Sequence, residues 1–331
     1  MKETILNLVE DAKTKGVSER RFCMIWGVRR DRIQRWKRWR RESRVLVDQP
    51  SGPKDVLHRL LSDERESIIC MAKDEVYADM STAVLAFTGM SQERFSASPS
   101  SVWRILQEAG LATSRRPVTR RSGMPEREEL TGPNQRWCWD ITYLRTHVRN
   151  VFLFLYVILD EWSRKEIAWL VSWHLRWSEV VRVFDQAVLS ERVLDVPENQ
   201  RPVLINDRGA QMKAKGTRQF FADLHLEQRF SRPRTPDDNP FIEASFRTLK
   251  TRPDYPGRFH DDTDAEIWCT KFFSWYNHQH LHKSIGYITP VDAHDGKGPQ
   301  ILAERQRRFR LARRRRIRLN GQARKTATRA V

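Results

Sequence analysis

An α/β domain of layered sheet and helices, preceded by all-α modules, is the architecture this 331-residue sequence predicts. Three observations point there. Between residues 133 and 296, strand-like apolar runs are followed by helical patterns in mixed order, which implies helices packed on a sheet. Residues before that stretch read as helices separated by glycine turns. The formal charge is +18, and the basic residues gather in particular helices and in the C-terminal tail, which favours a polyanionic partner.

Ile5, Leu8, Val9 and Ala12 recur at helical spacing. Gly16 ends that helix, and Ser18 with Glu19 opens a second, carrying Phe22, Cys23 and Trp26 inward. Gly27-Val28 then turns into a basic helix from Arg29 to Trp39, the order of a helix-turn-helix over residues 1–48. Ile33 and Trp36 anchor the last helix, leaving Arg30, Arg32, Arg35, Lys37 and Arg38 for phosphates and Gln34 for a base edge. A small bundle with a solvated charged face is the competing reading. Gln49 to Pro53 is linker chemistry. Residues 54–112 predict a second helical module, with helices from Ser62, near Ser81 to Phe87, and after the capping Ser98. Ser101, Arg104 and Gln107 are its candidate DNA contacts, although a structural spacer fits as well. A basic connector spans 113–132. From residue 297 a basic tail centred on Arg313-Arg314-Arg315-Arg316 predicts a partly disordered DNA-binding segment that folds on contact.

Within residues 133–296, strands are expected at Trp137–Leu144, Phe152–Leu159, Ile167–Trp173, Pro202–Asp207 and Glu227–Ser231. Helices are expected at Trp177–Glu191, Thr217–Leu224, from Pro240, and at Asp262–His278. The apolar strand from Phe152 makes sense only with both faces covered. Alternation puts Cys138, Asp140 and Thr142 on one face of their strand and Trp137, Trp139 and Ile141 on the other. Asp207 closes a strand before Arg208-Gly209, where open α/β sheets expose chemistry. Glu243 lies in the first turn of a helix whose Pro240 suits the N1 position.

Carboxylates about 4 Å apart repel by roughly 4 kcal/mol at an effective dielectric near 20. If Asp140, Asp207 and Glu243 converge, protons or divalent cations must neutralise them, and hard oxygen ligands select Mg²⁺ or Mn²⁺. Two ions suit an in-line phosphodiester displacement, with Asp140 bridging both and Asp207 and Glu243 each holding one. Arg247 and Lys250 share the face of Glu243 and are suited to grip a scissile strand, unless Arg247 simply pairs with the glutamate. Asn239 is a candidate for positioning DNA, Asp237 and Asp238 for loop or cap roles, and Asp160 and Ser163 for a hairpin turn. His278, His280 and His282 follow Trp275-Tyr276-Asn277 at a helix end and predict DNA or core contacts over zinc. Four scattered cysteines fit neither a zinc site nor a disulfide framework. The longest apolar run, Val151 to Leu159, is too short to cross a bilayer, and the first residues lack a signal-peptide core. A cytoplasmic protein is expected.

Several ordered words strengthen this reading: Gly132-Pro133-Asn134-Gln135-Arg136-Trp137, Trp139-Asp140-Ile141-Thr142-Tyr143, Leu159-Asp160-Glu161-Trp162-Ser163-Arg164 and Asn206-Asp207-Arg208-Gly209. They continue with Asp238-Asn239-Pro240, Glu243, Phe246-Arg247-Thr248-Leu249-Lys250, Trp275-Tyr276-Asn277 and Thr289-Pro290, and 35 residues separate Asp207 from Glu243. Over roughly residues 130–295 the chain resembles the DDE transposases and retroviral integrases, and looks closest to the bacterial insertion-sequence transposases. The resemblance implies an RNase H-like mixed-sheet core with Asp140, Asp207 and Glu243 as catalytic, metal-holding acids. It further implies binding of double-stranded DNA at terminal inverted repeats, exposure of a 3′-hydroxyl, strand transfer, a homo-oligomer on DNA and a place at the nucleoid. Asn206 departs from the family, where serine or threonine often stands. Two other classes stay open: a catalytically passive DNA-binding regulator, and a metal-dependent nuclease without strand transfer.

Overall fold

A computed structural model of the protein describes residues 2–46, 56–112, 129–230 and 239–329. The expected 49–53 linker, most of the 113–132 connector, and Asp237 and Asp238 lie outside the described residues. The chain divides into two compact units, Met1–Val56 and Leu57–Val331.

In the first unit, helices α1 (Lys2–Thr14), α2 (Glu19–Trp26) and α3 (Arg30–Arg41) surround a small core of Leu6, Val9, Phe22, Ile33 and Trp36. Ser18 caps α2 by accepting the Arg21 amide, as the sequence predicts. Gly27 ends α2 at φ 61°, a left-handed conformation that makes the tight α2–α3 turn accessible.

The second unit begins with α4 (Ser62–Lys73), α5 (Thr82–Ser91) and α6 (Pro99–Glu108), packed around Ile68, Met71, Leu85, Val102 and Ile105. Its sheet is built from β1 (Arg136–Arg145), β2 (Phe152–Asp160) and β3 (Glu166–Ser172). After α7 (Trp177–Ser190) come β4 (Val203–Asn206), the short α8 (Ala210–Lys213), α9 (Lys215–Asp223) and β5 (Gln228–Phe230). Among the described residues the strands form one sheet in the order β3-β2-β1-β4-β5. β1, β2 and β3 pair antiparallel, while β4 joins β1, and β5 joins β4, in parallel. This mixed sheet, with its helices, is the α/β layering expected. Helices α10 (Pro240–Lys250), α11 (Asp262–His278), α12 (Pro290–His294) and α13 (Gly298–Arg329) complete the chain.

β2 explains the layering. Tyr156 and Ile158 face a cluster with Trp137, Trp139, Val183, Phe184 and Phe221, which covers one side of the sheet with α7 and α9. Leu153, Leu155, Val157 and Leu159 face Ile242, Leu249, Cys269 and Phe272 of α10 and α11 on the other. An apolar strand buried on both faces is thus satisfied by helices above and below it.

The tail departs from expectation: residues 298–329 form a single helix instead of a partly disordered segment. Arginine is a good helix former, and three of these arginines point inward to fixed acceptors. Arg305 donates to the carbonyls of Gly286 and Tyr287 at 2.8 and 2.6 Å. Arg308 donates to the Met90 carbonyl at 2.8 Å. Arg316 forms a buried two-point pair with Glu64 at 2.8 and 2.7 Å. Arg310, Arg313, Arg314 and Arg318 remain exposed on the outer surface.

Candidate active site

Asp140 lies in the middle of β1, opposite Val157. The parallel ladder between β1 and β4 runs Arg136↔Val203, Trp137↔Leu204, Cys138↔Ile205. Two residues beyond its last rung stand Asp140 on one strand and Asp207 just past the other, both on the Cys138–Ile205 side of the sheet. Adjacent strands run about 4.8 Å apart, so this register brings the two acids to neighbouring backbones. Asp207 Oδ1 accepts the Gly209 amide at 2.8 Å. A Cβ on Gly209 would come within 3.1 Å of that oxygen and 2.8 Å of Met212 Sδ, so the turn admits only glycine without a shift. Glu243 is exposed in the first turn of α10, which packs across β1 and β2.

Burial, aided by the charges of Asp207 and Glu243 and opposed by the Ile141 amide and Lys250, raises the Asp140 carboxyl to about 7. The three expected acids therefore sit in one electrostatic field. Among the described residues no group of three His, Cys, Asp or Glu side chains is gathered closely enough to hold a metal ion. The donor chemistry suits a hard divalent cation, since the carboxylates of Asp207 and Glu243 both act on that of Asp140 and oxygen donors are what such an ion takes. The set is coupled without being closed.

α10 supplies the neighbouring cations. Lys250 Nζ donates to Thr142 Oγ1 at 2.6 Å, on the same face of β1 as Asp140. Burial and the nearby Arg145 lower the Lys250 ammonium, while Asp140 raises it. Arg247 is exposed one turn after Glu243, and among the described residues no ion pair joins the two. Asn239 behaves differently from its expected DNA-facing role. It is buried, its Nδ2 donating to the Trp139 carbonyl at 3.4 Å, and it ties the start of α10 to β1 beside Asp140.

Two residues of the frame were not assigned roles from sequence. Asn206, the departure from the family pattern, is fully buried, and its Oδ1 accepts from Trp139 Nε1 at 3.2 Å and Gln228 Nε2 at 3.1 Å. It links β1, β4 and β5 just before Asp207, a role that its position at a strand end hints at. Glu166, buried at the start of β3, accepts from Ser245 of α10, and its Oε2 has no partner among the described residues. Nothing in local sequence links residues so far apart.

The first unit brings a second correction. Gln34 Nε2 and Lys37 Nζ donate to Glu19 of α2 at 2.5 and 2.6 Å, and Arg30 lies 3.4 Å from the same carboxylate. These side chains brace α3 against α2, because a half-buried carboxylate needs donors. Arg32, Arg35 and Arg38 stay exposed, with Arg35 over the Trp39 ring at 5.7 Å. In the second unit Arg104 is exposed and donates to Ser101 and to the Ser100 carbonyl of its own helix. His280 stacks on Tyr276 at 5.2 Å, and burial brings both His280 and His282 down to about 4, so they are core contacts. No helix among the described residues is long and apolar enough to cross a membrane.

Residues 131–236 match the model of an integrase core domain, and residues 224–290 match a second integrase core domain model. Asp140 and Asp207 fall in the first span and Glu243 in the second. The chain is 24% identical over 176 residues to the putative transposase for insertion sequence element IS986/IS6110 of Mycobacterium tuberculosis, covering 53% of this chain and 60% of the relative. It is 28% identical over 167 residues to the transposase for insertion sequence element IS904 of Lactococcus lactis, covering 50% of this chain and 62% of the relative. The chain thus spans about three-fifths of the length of these relatives. Among solved structures it is similar to the HTLV-2 integrase catalytic core domain in complex with magnesium, at 16% identity, 49% coverage of this chain, 97% of that one and a TM-score of 0.35.

Proposed function

We propose, from the matches of residues 131–236 and 224–290 to integrase core domain models and the similarity to insertion-sequence transposases, that the chain is a DDE transposase. In this reading it binds the terminal inverted repeats of its element, cuts to expose 3′-hydroxyls and transfers those ends into target DNA. One observation carries the reading: the β1–β4 register sets half-buried Asp140 beside Asp207 on neighbouring backbones, and Glu243 of α10 is near enough for its charge to act on Asp140. A fold keeps such an acid without a saturating donor where its charge is used in binding or chemistry.

Asp140, Asp207 and Glu243 would hold two Mg²⁺ or Mn²⁺ ions. When bound, such ions activate an attacking oxygen and offset charge on the leaving one. The protein's own groups do the rest. Asn239 and the Ser245–Glu166 contact fix α10, the helix that carries Glu243, against the sheet. Lys250 and Arg247 hold phosphates of the scissile strand beside the acids. Arg32, Arg35 and Arg38 of α3 grip the backbone of the repeat ends, and Arg104 of α6 adds a weaker contact. Water is the first nucleophile and the exposed hydroxyl the second. Bringing two ends together requires a homo-oligomer, and the substrate places the protein with the nucleoid in the cytoplasm.

The test incubates the protein with Mg²⁺, labelled terminal repeats and a target duplex. Joined products support transposition. Nicked products alone favour a nuclease, and binding without chemistry a passive regulator.

A further inference from the structure

Away from the acids, the tip of the β1–β2 hairpin and the loop before α11 enclose a recess of about 240 Å³. Three exposed arginines are among the residues that line it, Arg145, Arg149 and Arg258. The recess is built into the fold. Phe259, fully buried, donates its amide to the Arg145 carbonyl at 2.9 Å and accepts from the His147 amide at 3.1 Å. Arg258 Nη1 reaches the Thr146 carbonyl at 3.3 Å, and the His147 and His260 rings stack at 4.3 Å. Asn150 turns the hairpin at φ 62°.

Among the described residues no ion pair joins any of the three arginines to a carboxylate. The nearest acids in sequence are used elsewhere: Asp261 caps α11 through the Asp264 amide, Asp264 accepts from His260 N, and Asp254 pairs with Arg252. Three exposed cations held around one small recess repel each other and favour an anion between them. Arg145 ends the strand that carries Asp140, and its charge reaches Lys250, which is bonded to Thr142.

We propose that Arg145, Arg149 and Arg258 clamp a backbone phosphate of the duplex DNA whose scissile bond lies at Asp140. The proposal rests on the transposase reading and adds where the duplex runs. Five residues of β1 separate Asp140 from Arg145, about 17 Å at strand spacing. A DNA strand advances about 3.4 Å per nucleotide along the helix axis, so a duplex laid along β1 puts the clamped phosphate about five nucleotides from the reacting one.

The test uses the full chain and a labelled duplex of unrelated sequence, measured by anisotropy across a salt series. Relative to wild type, the Arg145→Ala/Arg149→Ala/Arg258→Ala protein loses about one unit of the slope of log affinity against log salt. Replacing all three with lysine keeps most of that slope. A joining assay on repeat ends runs alongside. Trimming the duplex to within three nucleotides of the joining site abolishes the difference between wild type and the alanine protein. Equal slopes on the long duplex overturn the clamp. Loss of wild-type joining, with the slope difference intact, overturns the transposase reading and leaves a DNA clamp. Should the triple variant melt early, Arg149→Glu alone, on the exposed hairpin tip, carries the same comparison.

Discussion

Asp160 and Asp140 stand on paired strands of one sheet, three rungs apart in the β1–β2 ladder, and the chain treats them in opposite ways. Asp160 is fully buried and surrounded by donors: the Asn134 amide at 2.8 Å, the Ser163 amide at 2.7 Å and the Ser163 hydroxyl at 2.6 Å. That hydroxyl, having donated to Asp160, accepts from His294 Nδ1 at 3.0 Å, and His294 Nε2 donates to Glu191 at 2.8 Å. Lys165 and Asn134 complete the Glu191 carboxylate at 2.6 and 2.9 Å. Burial opposes these charges, yet the hydrogen bonds outweigh it and move Glu191 down to about 2 and His294 up to about 9. Asp140 receives one backbone amide and two like charges, and moves the other way. The contrast separates acids that hold a fold together from acids that await a charge.

The largest expected effect comes from removing an acid of the charge-coupled set. Asp207→Asn should lower DNA cleavage and joining at least about a hundredfold, since altering even the partners of metal ligands costs tenfold to a hundredfold. Duplex affinity and the thermal midpoint should hold or rise, because one of three repelling charges is gone. Normal cleavage by this variant would remove Asp207 from the site.

The satisfied network should respond in stability instead. His294→Ala leaves Asp160 and Glu191 buried without their shared cation, and breaking a buried pair costs about 3–5 kcal/mol. Urea denaturation measures it, and a loss below about 1 kcal/mol would mean that the network is ornamental to folding.

The same contrast shows how far sequence reasoning reaches. The five strands, the α11 helix from Asp262 to His278, the Ser18 and Ser98 caps and the position of Glu243 in the first turn of α10 follow from period, capping and turn chemistry, all local signals. Asp160 and Ser163 were legible as turn residues. Their link to His294 spans 131 positions, and no local pattern encodes it. Charge runs misled for the same reason. Composition cannot say which arginines of α13 turn inward to Glu64 and to backbone carbonyls, nor that Gln34 and Lys37 turn back to Glu19.

Titration offers a smaller and more selective probe of the satisfied side. His294, raised from 6.5 to about 9, contributes stability in full below pH 6.5 and loses it as pH climbs through 9. Glu191, lowered from 4.5 to about 2, contributes above pH 4.5 and loses it as pH falls through 2. The difference in unfolding free energy between wild type and His294→Ala should therefore shrink between pH 6.5 and 9, by something on the order of 1–3 kcal/mol. A difference independent of pH would show that His294 is neutral in the folded protein.

Glu166 lies between the two behaviours and gives the finest test. It is buried like Asp160 yet receives only Ser245, and burial raises it from 4.5 to about 8 despite that bond. The folded protein thus keeps a proton that the unfolded chain releases above pH 4.5, so ionisation of the unfolded state draws stability away as pH rises toward 8. A glutamine has nearly the shape of the protonated acid and nothing to titrate. Glu166→Gln should match wild type near pH 4.5, then become the more stable of the two by about 3–5 kcal/mol at pH 8, with the gap level beyond it. Because Ser245 sits two residues from Glu243, DNA joining by this variant at neutral pH should stay within about threefold of wild type if the protonated form is what seats α10. A glutamine protein that is less stable than wild type at every pH would instead mean that the carboxylate is ionised and paired in the fold, placing Glu166 with Asp160 on the satisfied side.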